Sequence, residues 1–159
     1  MRSVIAAASA STVLLLAGWV VYQALGLQEF DEYDTGKALH DVAEPGDTLV
    51  VFGGRSDLQI TTGLPSPYEH LWSLPMRTMD PELTDLGALV AGPDAPTWIV
   101  EWLPFRHWSE EYGSQLAGLV EERYEPHGLG CGTEPGDPRT VWLLKGTERP
   151  VPSPACHAE

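Results

Sequence analysis

Thr48-Leu49-Val50-Val51-Phe52 is an unbroken run of strand-forming residues, and the glycine pair Gly53-Gly54 ends it. A run of this length without alternating polar residues is typical of a strand that is covered on both faces. Ser56 or Asp57 can then cap a short helix, which we expect to finish near Gly63. The stretch therefore predicts a strand, a glycine turn and a helix at the centre of an α/β domain.

Two further apolar runs of strand length follow, Trp98-Ile99-Val100-Glu101-Trp102 and Thr140-Val141-Trp142-Leu143-Leu144. Three helical patterns alternate with the strands, and the first runs from Asp34 or Thr35 to Val42. The second starts at Asp80 and has the apolar stripe Leu83, Leu86, Leu89 and Val90. The third is capped by Ser109 and has the apolar stripe Tyr112, Leu116, Leu119 and Val120. Residues 64–79 are expected to form a long, irregular, aromatic connection, and residues 132–137 a turn. Strands alternating with helices predict a small three-layer α/β sandwich with a mainly parallel sheet of three to five strands.

The N-terminal segment contains no charged residue from Ser3 to Gln28, a run of 26. This is long enough to cross a hydrocarbon core of about 30 Å as a helix. Arg2 precedes the run and acidic residues follow it, so the positive-inside rule places the N-terminus in the cytoplasm and the rest of the chain outside the membrane. A cleavable signal peptide is the alternative, with residues 24–26 as its best cleavage site. Either interpretation exports the domain.

These patterns divide the chain into four parts. We expect a transmembrane helix or signal anchor at residues 1–28, an acidic linker and short helix at 29–46, an extracytoplasmic α/β domain at 47–146, and a proline-rich tail at 147–159. The two cysteines lie in the exported part, where the compartment is oxidising. We expect a disulfide between Cys131 and Cys156; the alternative is a buried Cys131 with a free Cys156.

The charge balance excludes one class of partner. The chain has 9 Lys and Arg against 23 Asp and Glu, and one of the basic residues is Arg2, so the part after Leu27 carries a formal charge of −15. Such a charge repels phosphate backbones, and we expect no nucleic-acid partner. The sequence also lacks a dinucleotide fingerprint, a P-loop lysine and paired metal ligands, so no cofactor, metal or catalytic residue is predicted.

Two features nevertheless indicate ligand binding. The turn Gly53-Gly54-Arg55 lies where open α/β sheets bind ligands, and its N–H groups with the Arg55 guanidinium suit a phosphate. The alternative is that the glycines only make the turn and that Arg55 pairs with Asp57. Tyr68 and Trp72 lie in the aromatic connection and are candidates for contact with a ligand, a membrane surface or a partner. Trp98 and Trp102, on a strand, are expected to pack in the core.

Two longer stretches, Gly46–Gln59 and Gly63–Thr78, resemble a known family. They are similar to the C-terminal extracytoplasmic domain of actinobacterial polytopic C-type membrane glycosyltransferases of the protein-mannosyltransferase kind. The run Leu-Pro-Ser-Pro-Tyr…Leu-Trp-Ser-Leu-Pro within Leu64–Pro75 is the most specific part of the resemblance. The family's many-helix membrane domain and its catalytic acidic residues have no counterpart in this chain. The chain therefore resembles a truncated, split or separately encoded tail, and the alternative is that Met1 is an internal start within a longer reading frame. No catalytic residue is carried over.

The resemblance implies a membrane-anchored accessory domain of a system that uses a polyprenyl-phosphate sugar as donor. It would bind the donor or an acceptor glycan through residues around the glycine turn: Gly53, Gly54, Arg55, Asp57, Gln59, Tyr68, Trp72 and Arg77. The alternative is a non-catalytic interaction module that docks on a polytopic membrane partner. An exposed apolar patch around Tyr68–Met79 would favour this alternative. A free-standing exported enzyme is a third interpretation, which requires a pocket with convergent polar groups.

Overall fold

The computed structural model describes residues 2–24, 31–134 and 138–156, and the side chains of 11–22, 31–134 and 138–156. The chain divides into two compact units, Met1–Phe30 and Asp31–Glu159. Helix α1 spans Arg2–Ala24 in the first unit. Within the described residues, no helix combines the length and the apolar character that a bilayer crossing requires. The acidic linker from residue 29, the cleavage site at 24–26, the turn at 132–137 and the end of the tail lie partly outside the described residues.

The second unit is built on one mixed sheet of four strands in the order β1-β2-β4-β3. The strands are β1 (Leu49–Phe52), β2 (Trp98–Glu101), β3 (Tyr124–Leu129) and β4 (Thr140–Leu144). β1 is parallel to β2, whereas β4 is antiparallel to both β2 and β3. The α/β class and the three strands expected from the apolar runs are confirmed, and β3 is the fourth.

The prediction of a mainly parallel sheet is wrong. Strands β1, β2 and β3 run in one direction, but β4 lies between β2 and β3 and runs the opposite way, so two of the three pairings are antiparallel. β4 follows β3 after ten residues, 130–139, whereas a crossover to a parallel neighbour needs a dozen or more, so the chain returns antiparallel beside the strand it has just left. The alternation of strands and helices in the sequence predicts how many strands there are, but it does not reveal which of them pair in the sheet.

Helices α2 (Asp31–Val42) and α3 (Ser56–Thr62) cover one face of the sheet. Leu39 of α2 and Leu58 of α3 are fully buried, and each contributes about 2 kcal/mol through removal of its apolar surface from water. They pack against every second residue of the strands, because strand side chains alternate between the faces. The sheet residues on this side are Leu49, Val51, Trp98, Val100, Val141 and Leu143.

Four helices cover the opposite face: α4 (Ser73–Met79), α5 (Thr84–Ala91), α6 (Phe105–Trp108) and α7 (Tyr112–Arg123). Their buried side chains join Val50, Phe52 and Ile99 of the sheet in a second core cluster. The sheet therefore lies between two helical layers. The sequence predicted that Ser109 caps helix α7, but the helix begins at Tyr112 with Glu111 at its N-cap. The Ser109 Oγ still accepts hydrogen bonds from the Tyr112 and Gly113 amides at 3.0 and 3.2 Å. Helices α4 and α6 were not predicted.

A disulfide between Cys131 and Cys156 links the loop after β3 to the C-terminal tail. The same loop is attached to helix α2 at two points. The Cys131 amide donates to the Thr35 hydroxyl at 2.9 Å, and the Arg139 guanidinium donates to the Asp31 carboxylate at 3.0 Å. The tail, the loop and the start of α2 are thus held together at one edge of the unit.

Candidate functional site

The glycine turn after β1 is closely packed. Gly53 has φ 68°, a conformation that favours glycine, and a Cβ there would collide with the Leu103 side chain. A Cβ on Gly54 would lie 2.5 Å from Val51 Cγ1 and 3.1 Å from Trp102 Cβ. The amides of Trp102 and Leu103 also donate to the Phe52 carbonyl at 3.0 and 3.2 Å. The two glycines therefore let the segment after β2 approach the end of β1.

Arg55 and Asp57 lie at the surface just after this turn. The Arg55 Nε is 3.3 Å from Asp57 Oδ2, and the two side chains are 64% and 40% exposed. Asp57 also accepts the Leu58 amide at 3.2 Å through Oδ1. The ion pair is the arrangement that the alternative interpretation of the turn predicts, in which Arg55 neutralises a neighbouring carboxylate.

Gln59 and Tyr68, two of the predicted binding residues, have their polar groups inside the unit. The Gln59 side-chain amide donates to the Leu64 carbonyl at 2.7 Å. The Tyr68 hydroxyl donates to Asp80 Oδ2 at 2.8 Å. Burial and this hydrogen bond to a carboxylate raise the pKa of Tyr68 well above its ordinary value, so the hydroxyl stays a donor. Both residues hold the connection between α3 and α5 in place.

The Asp80 carboxylate explains why helix α5 begins later than expected. The sequence predicted a helix start at Asp80, but the helix begins at Thr84. The carboxylate accepts the Asp85 amide at 3.2 Å and the Leu86 amide at 3.1 Å, so it satisfies two donors of the first turn from four residues upstream. Together with Tyr68, Asp80 anchors the segment that leads into α4 and α5.

Trp72 and Arg77 lie on the surface at the carboxyl end of β1. The Ser73 amide donates to the Gly54 carbonyl at 3.4 Å, which places Trp72 next to the glycine turn. The Arg77 guanidinium lies 4.3 Å above the Trp108 ring, and Trp108 in turn packs on Phe52 with ring centroids 5.4 Å apart. The structure thus brings Gly54, Trp72 and Arg77 to one edge of the sheet, while Gln59 and Tyr68 face the interior.

Helix α4 and the two residues before it form an exposed apolar surface. The contributing side chains are Leu71, Trp72, Leu74 and Met79, with 38%, 45%, 55% and 69% of their surface exposed. We call these four residues the α4 surface. The other large apolar side chains that are exposed between residues 31 and 156, among those described, are scattered along the chain: Tyr33, Ile60, Leu129 and Val151. The concentration of four within nine residues distinguishes this surface.

The α4 surface has a rigid support. Met76, the apolar side chain of α4 that points inward, is fully buried in the core cluster of this face. The Asp80 amide closes the end of the helix on the Met76 carbonyl at 3.0 Å. Of the α4 surface residues, only Trp72 was predicted as a site residue, because an apolar residue cannot be assigned to a face until the helix that carries it is recognised. The patch around Tyr68–Met79 was the signal that could have found them.

The described residues hold no group of three or more His, Cys, Asp or Glu side chains that could bind a metal ion. Comparison with protein-family models, with curated proteins and with solved structures finds no match to this chain.

Proposed function

We propose that this chain is a membrane-anchored, extracytoplasmic, non-catalytic module that docks through the α4 surface on a polytopic membrane partner. The partner belongs to a glycosyltransferase system that uses a polyprenyl-phosphate sugar. The observation that carries the proposal is the cluster of exposed apolar side chains Leu71, Trp72, Leu74 and Met79 on a well-supported helix. Concentrated apolar patches on folded domains mark interaction sites, whereas single exposed apolar residues need no explanation.

The local charge supports a docking role. Residues 70–79 contain one charged side chain, Arg77, between Glu69 and Asp80. The rest of the part after Leu27 is strongly acidic, with a formal charge of −15 for the whole. Charged residues are depleted at the centre of protein interfaces, and Trp and Arg are enriched there. The α4 surface has this composition, with the Arg77 side chain held above Trp108.

The membrane anchor rests on the sequence of the N-terminal segment alone, since no described helix combines the length and the apolar character that a bilayer crossing requires. The run from Ser3 to Gln28 is uncharged, and α1 covers residues 2–24. Its large apolar side chains between Val13 and Tyr22 are 40–75% exposed. With Arg2 before the run and acidic residues after it, the N-terminus faces the cytoplasm and the second unit lies outside.

The glycosyltransferase system is supported by the resemblance of Gly46–Gln59 and Gly63–Thr78 to the tail of C-type enzymes. In those enzymes the reaction belongs to the many-helix membrane domain, not to the tail. A module that docks on such a membrane domain therefore agrees with both the resemblance and the exposed α4 surface.

Donor or acceptor binding at the edge of β1 is the second candidate function. Arg77 supports it, because its guanidinium is displayed on an aromatic ring near the glycine turn. Titration of the full chain with a polyprenyl-phosphate sugar distinguishes the two functions. Loss of affinity in Arg55→Ala and Arg77→Ala supports donor binding, and equal affinity in the wild type and both variants removes it.

The docking proposal is tested by affinity purification of the tagged full chain from membranes of the source cells. The test variant is Leu74→Ser, and the matched control is Ile60→Ser, because Ile60 is also exposed but lies outside the α4 surface. We expect a polytopic glycosyltransferase to co-purify with the wild type and with Ile60→Ser, and to be lost from Leu74→Ser. Equal recovery with all three chains, or recovery of no polytopic protein, would contradict the proposal.

A further inference from the structure

A cleft of about 270 Å³ opens at the carboxyl end of β2, between the segment after this strand, helix α7 and strand β4. Its volume lies near the lower end of the range of roughly 300–1,000 Å³ that is typical of small-molecule sites. The cleft is lined by Glu101, Pro104, Phe105, Arg106, His107, Ala117, Glu121, Pro138 and Trp142. The α4 surface contributes none of these residues.

One side of the cleft is apolar and aromatic. Phe105 and Trp142 lie with their ring centroids 6.5 Å apart and their planes inclined by 42°. Phe105 is buried, whereas Trp142 is half-buried. The Trp142 ring therefore packs partly in the core and partly lines the cleft. An indole of this kind offers a flat apolar face to a ligand while its N–H is engaged elsewhere.

The Trp142 ring is held in place by Glu101. Its indole N–H donates to Glu101 Oε2 at 3.0 Å, and Glu101 Oε1 accepts the Phe105 amide at 2.9 Å. The carboxylate thus bridges the aromatic side chain and the first turn of α6, and its own orientation is fixed by the two bonds. Such preorganisation reduces the ordering that a ligand must supply on binding.

The other side of the cleft is polar. Glu121 of α7 and His107 of α6 are exposed and line it together with Glu101. Carboxylates accept hydrogen bonds from hydroxyl groups, and an imidazole can donate or accept. The two carboxylates disfavour an anionic ligand, and Arg106 in the same lining disfavours a cationic one. The chemistry favours a neutral molecule with several hydroxyl groups and an apolar face.

We propose that this cleft binds a neutral saccharide, with one sugar ring against Trp142 and its hydroxyl groups bonded to Glu121 and His107. The site is separate from the α4 surface, so it stands whether or not the docking proposal holds.

The test is saturation-transfer NMR and titration calorimetry on the full chain in detergent micelles, with mannotetraose, maltotetraose and cellotetraose as probes. The variants are Glu121→Gln and His107→Ala. The matched control is Glu122→Gln, because Glu122 is exposed on the same helix but does not line the cleft. Thermal unfolding confirms that all variants remain folded.

We expect at least one of the three saccharides to bind. Glu121→Gln and His107→Ala should each weaken this affinity by about 5–10-fold, because the first removes the charge of a hydrogen-bond acceptor and the second removes a hydrogen-bonding side chain. Glu122→Gln should leave the affinity unchanged. Three results would overturn the proposal. The first is no signal from any saccharide at about 10 mM, and the second is an equal loss of saccharide affinity in Glu122→Gln. The third is tighter binding of a cationic probe, N-acetyl-lysine amide, than of every saccharide.

Discussion

Replacement of Arg149 by alanine should destabilise the unit more than any other single loss of a surface cation. The Asp47 carboxylate is 3% exposed, and Arg149 reaches it with two donors, Nε at 3.0 Å and Nη2 at 2.8 Å. Asp47 also accepts the Trp98 indole N–H at 3.0 Å and the Glu44 amide at 3.0 Å. The pair therefore fixes the C-terminal tail to the start of β1 and to the core tryptophan of β2.

The expected magnitude follows from these contacts. Removing one partner of a buried ion pair typically costs about 3–5 kcal/mol. Two donors to Asp47 remain in Arg149→Ala, and the Arg149 side chain is 15% exposed, so the carboxylate regains some hydration. We therefore expect a loss of about 2–3 kcal/mol in the free energy of unfolding. This corresponds to a decrease in Tm of roughly 10 °C for a unit of this size.

The same pair predicts a pH dependence. Burial alone raises the pKa of Asp47, but the hydrogen bonds from Arg149, the Glu44 amide and Trp98 outweigh it and hold the pKa below its ordinary value. Because the pKa is lower in the folded than in the unfolded chain, the pair contributes its full stability above about pH 4 and loses it as the pH falls through the folded pKa. The difference between wild type and Arg149→Ala should narrow in acid.

Urea unfolding followed by tryptophan fluorescence measures both effects, since urea does not screen charges. The control is Lys37→Ala, because the Lys37–Asp41 pair at 3.2 Å is exposed on both sides and should contribute less than about 0.5 kcal/mol. An Arg149→Ala variant as stable as this control at pH 7 would show that the Asp47–Arg149 pair does not stabilise the fold. A stability difference that stays constant down to pH 3 would show that Asp47 does not cause the pH dependence.

Three further predictions concern the stability of the fold. Tyr68→Phe should cost only about 1 kcal/mol in urea unfolding, because Asp80 keeps its two amide donors at α5, and a polyprenyl-phosphate sugar should bind no differently. Cys156→Ser should lower the free energy of unfolding by about 2–4 kcal/mol, and the reduced wild type should unfold at the same urea midpoint as this variant. If reduction leaves the midpoint of the wild type unchanged, the disulfide is not structural. Gly53→Ala should lower the Tm because Gly53 has a φ of 68° and an added Cβ would collide with Leu103. Gly118→Ala should raise the Tm slightly, because no atom lies within 4 Å of the added Cβ. Equal changes in Tm for the two variants would contradict this prediction.

The strands of the core could be predicted because their apolar runs are long and continuous. The run at 48–52 became β1, and the run at 98–102 became β2. β3 was harder, because Pro126 and Gly128 are unusual within a strand. The structure tolerates them because β3 lies at the edge of the sheet, pairs only with β4 and has an irregularity between these residues. Sequence does not show in advance that a strand will lie at an edge.

Helix α4 was missed for a similar reason. Pro75 argues against a helix within residues 64–79, but it lies in the first turn of α4, where its missing N–H has no intrahelical partner to lose. Without the helix, the outward-facing Leu74 and Met79 could not be separated from the inward-facing Met76. The interior roles of Gln59 and Tyr68 depend on partners 5 and 12 residues away in the chain, and no local pattern reveals them.

The docking claim is tested most directly by site-specific photo-cross-linking in living source cells. A benzophenone amino acid is placed at Met79 in the α4 surface, or at Ile60, which is similarly exposed at 75% against 69% but lies on the opposite helical layer. We expect a cross-linked polytopic glycosyltransferase, identified by mass spectrometry, from position 79 and none from position 60. The same adduct from both positions, or no membrane-protein adduct from position 79, would contradict it.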